Sequence, residues 1–179
     1  FSLHLQARGP RDGPFLFPFL INRKASRRVG APPTRVIPAE MKVTIELGST
    51  SAGAAALLDL EELLATRLLV QGNSGSGKSH LLRRLLEQSV GSVQQAVIDP
   101  EGDFVTLADA FGHVVVDAAA HNESELQRIA ARVREHRVSV VLNAEGLDAD
   151  QQMKRAAAFL GGLFDTDRAI WYPMLVVVD

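Results

Sequence analysis

The eight residues Gly72-Asn73-Ser74-Gly75-Ser76-Gly77-Lys78-Ser79 constrain this chain more than any other segment. They follow Arg67-Leu68-Leu69-Val70-Gln71, which reads as a buried strand. They precede a helical stretch from Lys78 to about Gln88, with Leu81, Leu82, Leu85 and Leu86 on one face and Arg83, Arg84 and Glu87 on the other. A strand, a glycine turn and a helix in this order are the context in which G-x-x-x-x-G-K-S cradles phosphate. The three glycines let the backbone turn at little steric cost and bring N–H groups close to phosphate oxygens. The helix that starts here presents its partly positive end to the anion. Lys78 adds a point charge for the β- and γ-phosphates, and Ser79 adds a hydroxyl for Mg²⁺. His80, next in line, either approaches a phosphate or is an ordinary helix-start residue. The ligand this loop implies is ATP with Mg²⁺.

Phosphoryl chemistry at such a loop needs a second acid at a neighbouring strand tip, holding Mg²⁺ through water. Leu175-Val176-Val177-Val178-Asp179 is an apolar strand ending in an acid about a hundred residues after the loop. Ala96-Val97-Ile98-Asp99 and Val114-Val115-Val116-Asp117 have the same form, so the pattern alone does not choose among Asp179, Asp99 and Asp117. The remaining chain alternates short apolar strands, at 95–99, 113–116, 138–142 and 174–179, with helices. Asn122 with Glu125, and Asp148 with Gln151, mark two helix starts, the helices running to about His136 and through Phe164. A short helix is expected from Asp59 to Leu64, and an alternating strand from Met41 to Leu47. Together these elements predict an α/β fold: a parallel sheet covered by helices on both faces.

Composition narrows the classes. With 46% apolar and 22% charged residues over 179 positions, this is an ordinary globular composition. No cysteine is present, which excludes disulfide scaffolds and Cys-based metal sites. The five histidines show no metal-ligand spacing. Residues 1–40 hold six of the eight prolines and carry seven Lys/Arg against two acids. Residues 41–179 carry twelve against nineteen, a net −7. Any contact with DNA therefore needs a local patch or a channel formed by assembly. The longest apolar run near the start, residues 15–21, is seven residues long and contains Pro18, whereas a membrane span needs about 20. No membrane association is expected, and the lack of cysteine fits a reducing cytoplasm. Residues 1–40 read as a disordered or non-native extension before a natural start at Met41, or else as a basic nucleic-acid-binding arm; 41–179 read as a partial ATPase domain.

Gly72 to Ser79, the following Leu81-Leu82-Arg83-Arg84-Leu85-Leu86-Glu87-Gln88, the stretch Val97-Ile98-Asp99-Pro100-Glu101-Gly102-Asp103-Phe104, and the terminal Val176-Val177-Val178-Asp179 together resemble the ATPase core of HerA-type proteins. These belong to the HerA/FtsK group of P-loop motors. The resemblance covers about 43–179, and the stretch 98–104 is its most discriminating piece. It implies a RecA-like fold, ATP hydrolysis, a hexameric ring and translocation on double-stranded DNA, often beside a nuclease partner. It gives Lys78 and Ser79 the phosphate and metal roles and Asp179 the second-acid role. Asp99 and Glu101 become possible supports of the metal or of a subunit boundary, against a plain capped turn. The family's catalytic glutamate, sensor residue and trans-acting arginine are expected beyond Asp179, so this portion is expected to bind ATP with little turnover. Arg128, Arg132 and Arg134 read as a solvated helix face rather than as that arginine. Trp171-Tyr172-Pro173 reads as a loop anchor or a base-stacking platform. Two other functions share these motifs: an ATPase of a conjugation- or secretion-type transfer system, and a nucleotide-binding module without turnover.

Overall fold

The computed structural model describes residues 4–8 and 43–179. Met41 as a start, the apolar run 15–21 and most of the expected extension fall outside the described residues. The elements are β1 (His4–Arg8), β2 (Thr44–Ser49), β3 (Ala55–Asp59), α1 (Leu60–Ala65), β4 (Arg67–Gln71), α2 (Lys78–Ser89), β5 (Gln94–Asp99), α3 (Leu107–Phe111), β6 (Val114–Asp117), α4 (Glu123–His136), β7 (Val140–Asn143), α5 (Ala149–Phe164) and β8 (Met174–Val178).

Strands β6, β7, β5 and β8, in that order, form one parallel sheet. Its side chains alternate between two cores, as the two-residue period of a strand requires. Val97, Val141, Leu175 and Val177 face α1, α2 and α3, meeting Leu63, Leu85, Leu86 and Leu107. Ala96, Ile98, Val140 and Leu142 face α4 and α5, meeting Leu126, Ala130, Phe159 and Leu163. The helices therefore cover both faces, as the sequence predicts. Each large apolar side chain buried this way contributes about 2 kcal/mol. α4 and α5 pass so closely that a Cβ on Gly162 would lie 2.4 Å from the Gln127 carbonyl oxygen.

The helix starts follow local capping chemistry. Asn122 and Glu125 form a reciprocal capping box on α4, and the Asp148 side chain accepts from the Gln151 amide at the start of α5. Asp59 likewise caps α1.

The structure corrects one expectation of topology and adds a hairpin. The strand before the glycine loop, β4, was expected in the parallel sheet; it pairs antiparallel with β1 instead. A groove of about 450 Å³, lined by Leu68, Val70, Lys78, Val176 and Val178 among others, separates β4 from β8, so no backbone bonds join them. The strand expected near 43–47 exists as β2, but it forms a hairpin with β3, which the small residues around Ala54-Ala55-Ala56 did not signal. This hairpin is tied to α2. Gln88 Oε1 accepts from the Glu46 amide at 2.9 Å, and Arg84 Nε donates to the Glu46 carbonyl at 2.8 Å.

Candidate nucleotide site

β4 delivers the chain to Gly72, and α2 carries it away from Lys78. The turn between them has to be glycine at specific places. A Cβ on Gly72 would lie 2.3 Å from Ser76 Oγ, closer than any real contact. Gly77 sits at the N-cap of α2 with φ +92°, a left-handed conformation that disfavours other residues. The Ser76 amide donates to the Asn73 carbonyl at 3.0 Å, which closes the turn. Gly72, Asn73, Ser74, Gly75 and Gly77 are exposed.

Gly77 offers no side chain to cap α2, and among the described residues no acceptor meets the amides of Lys78, Ser79 or His80. An uncapped helix start leaves such donors to water or to an anion. Ser76 Oγ is buried with no partner among the described residues. Lys78 Nζ donates to the Asn73 carbonyl at 3.3 Å, and among the described residues its charge meets no acid. The loop is thus a cradle of unpaired donors around one ammonium group, which fits a polyphosphate.

Ser79 Oγ donates to Asp179 Oδ2 at 3.0 Å across a separation of 100 residues. β8 runs beside β5, and the Asp179 amide donates to the Ile98 carbonyl at 3.2 Å, which fixes the base of this acid. A hydroxyl and an exposed carboxylate that meet this way form an oxygen pair suited to a hard cation such as Mg²⁺.

The other two strand-tip acids have different surroundings. Asp99 is fully buried. Its Oδ1 accepts from the amides of Gly102 and Asp103 at 2.9 and 3.0 Å, and its Oδ2 from Phe104 at 2.8 Å. Burial raises its pKa above the usual 3.8, with the three amides acting against the rise. Asp99 therefore caps the turn after β5. Glu101, next to that turn, is exposed. Asp117 caps a short 3₁₀ turn through the Ala119 amide.

His80 is exposed and borders a small pocket of about 180 Å³ with Ser79, Arg83, Asp103 and Phe104. Arg134 is not on a solvated face: it is 5% exposed, donates to the carbonyls of Leu163 and Tyr172, and lies 5.6 Å from the Trp171 ring centroid. Arg128 and Arg132 are exposed. Arg137 stacks on Tyr172 at 3.3 Å, and Trp171 Nε1 donates to the Thr166 carbonyl. These contacts make Trp171 and Tyr172 an anchor for the segment that leads into β8. Sequence reading missed the inward role of Arg134, although its four-residue spacing from Ala130 and Leu126 puts it on the buried stripe of α4, opposite Arg132.

The sequence model of the helicase HerA central domain matches residues 45–159, from β2 through most of α5. The chain belongs to the HerA central-domain family. That membership places it among P-loop ATPases, and the match includes the whole glycine loop and the β5 tip. No curated protein and no solved structure matches the chain.

Proposed function

We propose that this chain is the ATP-binding core of an ATP-driven DNA translocase of the HerA type. The observation that carries the nucleotide part is the Ser79–Asp179 hydrogen bond beside a helix start whose first three amides, those of Lys78, Ser79 and His80, meet no acceptor among the described residues. In this reading the amides of the loop and of the first turn of α2 hold the phosphates, together with Gly72, Asn73, Ser74, Gly75, Ser76 and Gly77. Lys78 neutralises the β- and γ-phosphates. Ser79 and Asp179 hold Mg²⁺, Asp179 through water; the ion supplies charge neutralisation for phosphoryl transfer. His80 flanks the phosphates from the first turn of α2.

Residues 41–179 carry a net charge of −7, which supports DNA contact through a channel made by several copies rather than across one broad surface. A hexameric ring on double-stranded DNA, beside a nuclease partner and in the cytoplasm, completes the reading that the family supports. No helix among the described residues is long and apolar enough to cross a membrane.

The test is ATP hydrolysis by the intact protein with and without duplex DNA. Stimulation by duplex DNA is the expected result. Hydrolysis that no DNA stimulates points to a transfer-system ATPase, and ATP binding without hydrolysis points to a regulatory module; either result rejects the DNA motor.

A further inference from the structure

The single tryptophan and the single tyrosine of these 179 residues stand next to each other at the surface, between α5 and β8. Trp171 and Tyr172 are each over a third exposed. Phe164, whose ring meets Trp171 edge-on at 6.5 Å, is 52% exposed. Arginines line these rings: Arg134 lies over Trp171, and the Arg137 guanidinium lies over Tyr172. Arg137 reaches Tyr172 from the C-cap of α4 with φ +54°, a left-handed conformation in which glycine is the usual residue. Among the described residues neither Arg137 nor Arg168, in the short turn Arg168–Ile170, pairs with an acid. Of the acids near them in sequence, Asp167 accepts from the Ala169 amide, and Glu135 and Asp165 pair with no arginine among the described residues. Exposed aromatic rings beside unpaired guanidinium groups are the composition of the anchor of a protein–protein contact. A DNA duplex offers phosphates to the arginines but leaves the rings in water.

The complementary chemistry stands on the β2–β3 hairpin. Leu57 is 63% exposed and lies directly opposite Glu46 in the pairing of the two strands, so both side chains leave the same face. The next pair along, Ile45 and Leu58, turns to the core instead. The nearest cation to the Glu46 carboxylate is Arg84 at 4.0 Å, an exposed contact that holds it weakly. Glu61 and Glu62 are exposed at the start of α1, which follows β3 directly. The hairpin thus presents an aliphatic side chain among carboxylates, and the patch at Trp171 presents rings among guanidinium groups. Residues 41–179 carry a net −7, so copies of this chain repel at long range, and a contact between them needs a local pairing of opposite charge.

We propose that these two faces meet between copies of this chain: Leu57 of one copy packs against Trp171 and Tyr172 of the next, and Glu46 pairs with Arg137. The faces are different parts of the surface, so the contact runs head to tail and repeats from copy to copy. It rests on the ring reading given above and names the surfaces that build the ring; the nucleotide loop takes no part in it.

The test is crosslinking in the intact protein. Residues 1–179 contain no cysteine, and any cysteine outside them is changed to serine. Ala55→Cys marks the hairpin face and Ala169→Cys the aromatic patch; both alanines are exposed. Mixed together, the two singly substituted proteins should give a covalent pair with a short bis-maleimide, whereas each alone should give none. A chain carrying both substitutions should give a ladder that continues beyond the covalent dimer. In sedimentation, Arg137→Glu and Glu46→Arg should each weaken association by about tenfold, and the two changes in one chain should return it to within about threefold of the unsubstituted protein. No crosslink in the mixture, from a protein that sediments as an oligomer, overturns the contact and leaves the ring reading standing. A ladder that stops at the dimer overturns the head-to-tail arrangement. Failure of the double charge reversal to restore association overturns the pairing of Glu46 with Arg137. A protein that sediments as a monomer at every concentration refutes the ring reading and the contact with it.

Discussion

The tips of β5 and β8 are bonded side by side, β5 ending on Asp99 and β8 followed at once by Asp179, yet the two carboxylates live under opposite conditions. Asp99 is fully buried and accepts three backbone amides; Asp179 is exposed, and its one side-chain partner among the described residues is the hydroxyl of Ser79. The difference shows that a strand-tip acid takes its role from the donors that meet it. Asp99 accepts from the amides of residues 102–104, two on Oδ1 and one on Oδ2. A carboxylate so satisfied can hold a loop but has little left for a metal. At β8 the carboxylate is left to a side chain on another element, and it keeps its capacity for a cation.

This contrast separates two substitutions most strongly in stability. Asp99→Ala strips three charge-assisted hydrogen bonds and leaves the buried Phe104 amide unpaired, so it should cost about 3 kcal/mol. Asp179→Ala should cost under about 0.5 kcal/mol, because an exposed polar pair contributes little. Urea or thermal unfolding of both variants measures this, and equal losses would erase the distinction.

The second consequence concerns the ligand. Asp179→Asn keeps size and removes charge, so it should weaken the Mg²⁺-dependent part of ATP affinity by about tenfold, or 1.4 kcal/mol, while metal-free affinity changes little. If the Mg²⁺ dependence is untouched, Asp179 is an ordinary solvated acid.

The smallest effect is in pH. Burial raises the pKa of Asp99, so the folded state binds its proton more readily than the unfolded chain does. Its charge therefore costs stability in full above the raised value, and that cost is relieved as pH falls through it toward 3.8. His113 acts in the opposite sense. It is buried, its Nε2 lies 2.8 Å from Gln95 Oε1, and burial lowers its pKa, with the Leu107 backbone working against the shift. Gln95 Nε2 already donates to Leu86 and Ser89, so its Oε1 faces the ring and the neutral imidazole carries its proton on Nε2. The unfolded chain takes up the proton first, so stability is complete above 6.5 and falls as pH drops below it toward the folded value. Unfolding titrations from pH 7.5 to 5 should show this loss, and His113→Gln should flatten it. An unchanged slope in that variant would place the titrating group elsewhere.

The legible parts of the fold were those written in local chemistry. The starts of α4 and α5 could be read from Asn122–Glu125 and Asp148–Gln151, because a cap and its partner lie three residues apart. The loop from Gly72 to Ser79 could be read because its glycines, lysine and serine each answer a local need. The separation of β4 from β8, the β2–β3 hairpin and the strand order were not legible, since pairing joins residues far apart in sequence. The same applies to the strand-tip acids. Asp99, Asp117 and Asp179 end similar apolar runs, and only the donors that meet each one, backbone amides for Asp99 and Asp117 and the Ser79 hydroxyl for Asp179, tell them apart. Arg83 read as a helix-face charge and turned out to bridge α2 to Asp103 and Thr106, which spacing along one helix does not reveal; the inward position of Arg134 was legible, since Leu126, Ala130 and Arg134 recur every four residues.

The most decisive measurement is Mg·ATP binding to the purified chain and to Lys78→Ala by calorimetric titration. Saturable binding by the unsubstituted chain, weakened at least roughly a hundredfold in the variant, is the expected result. Equal affinity in the two proteins, or no binding by either, would contradict the reading of Gly72 to Ser79 as a phosphate cradle.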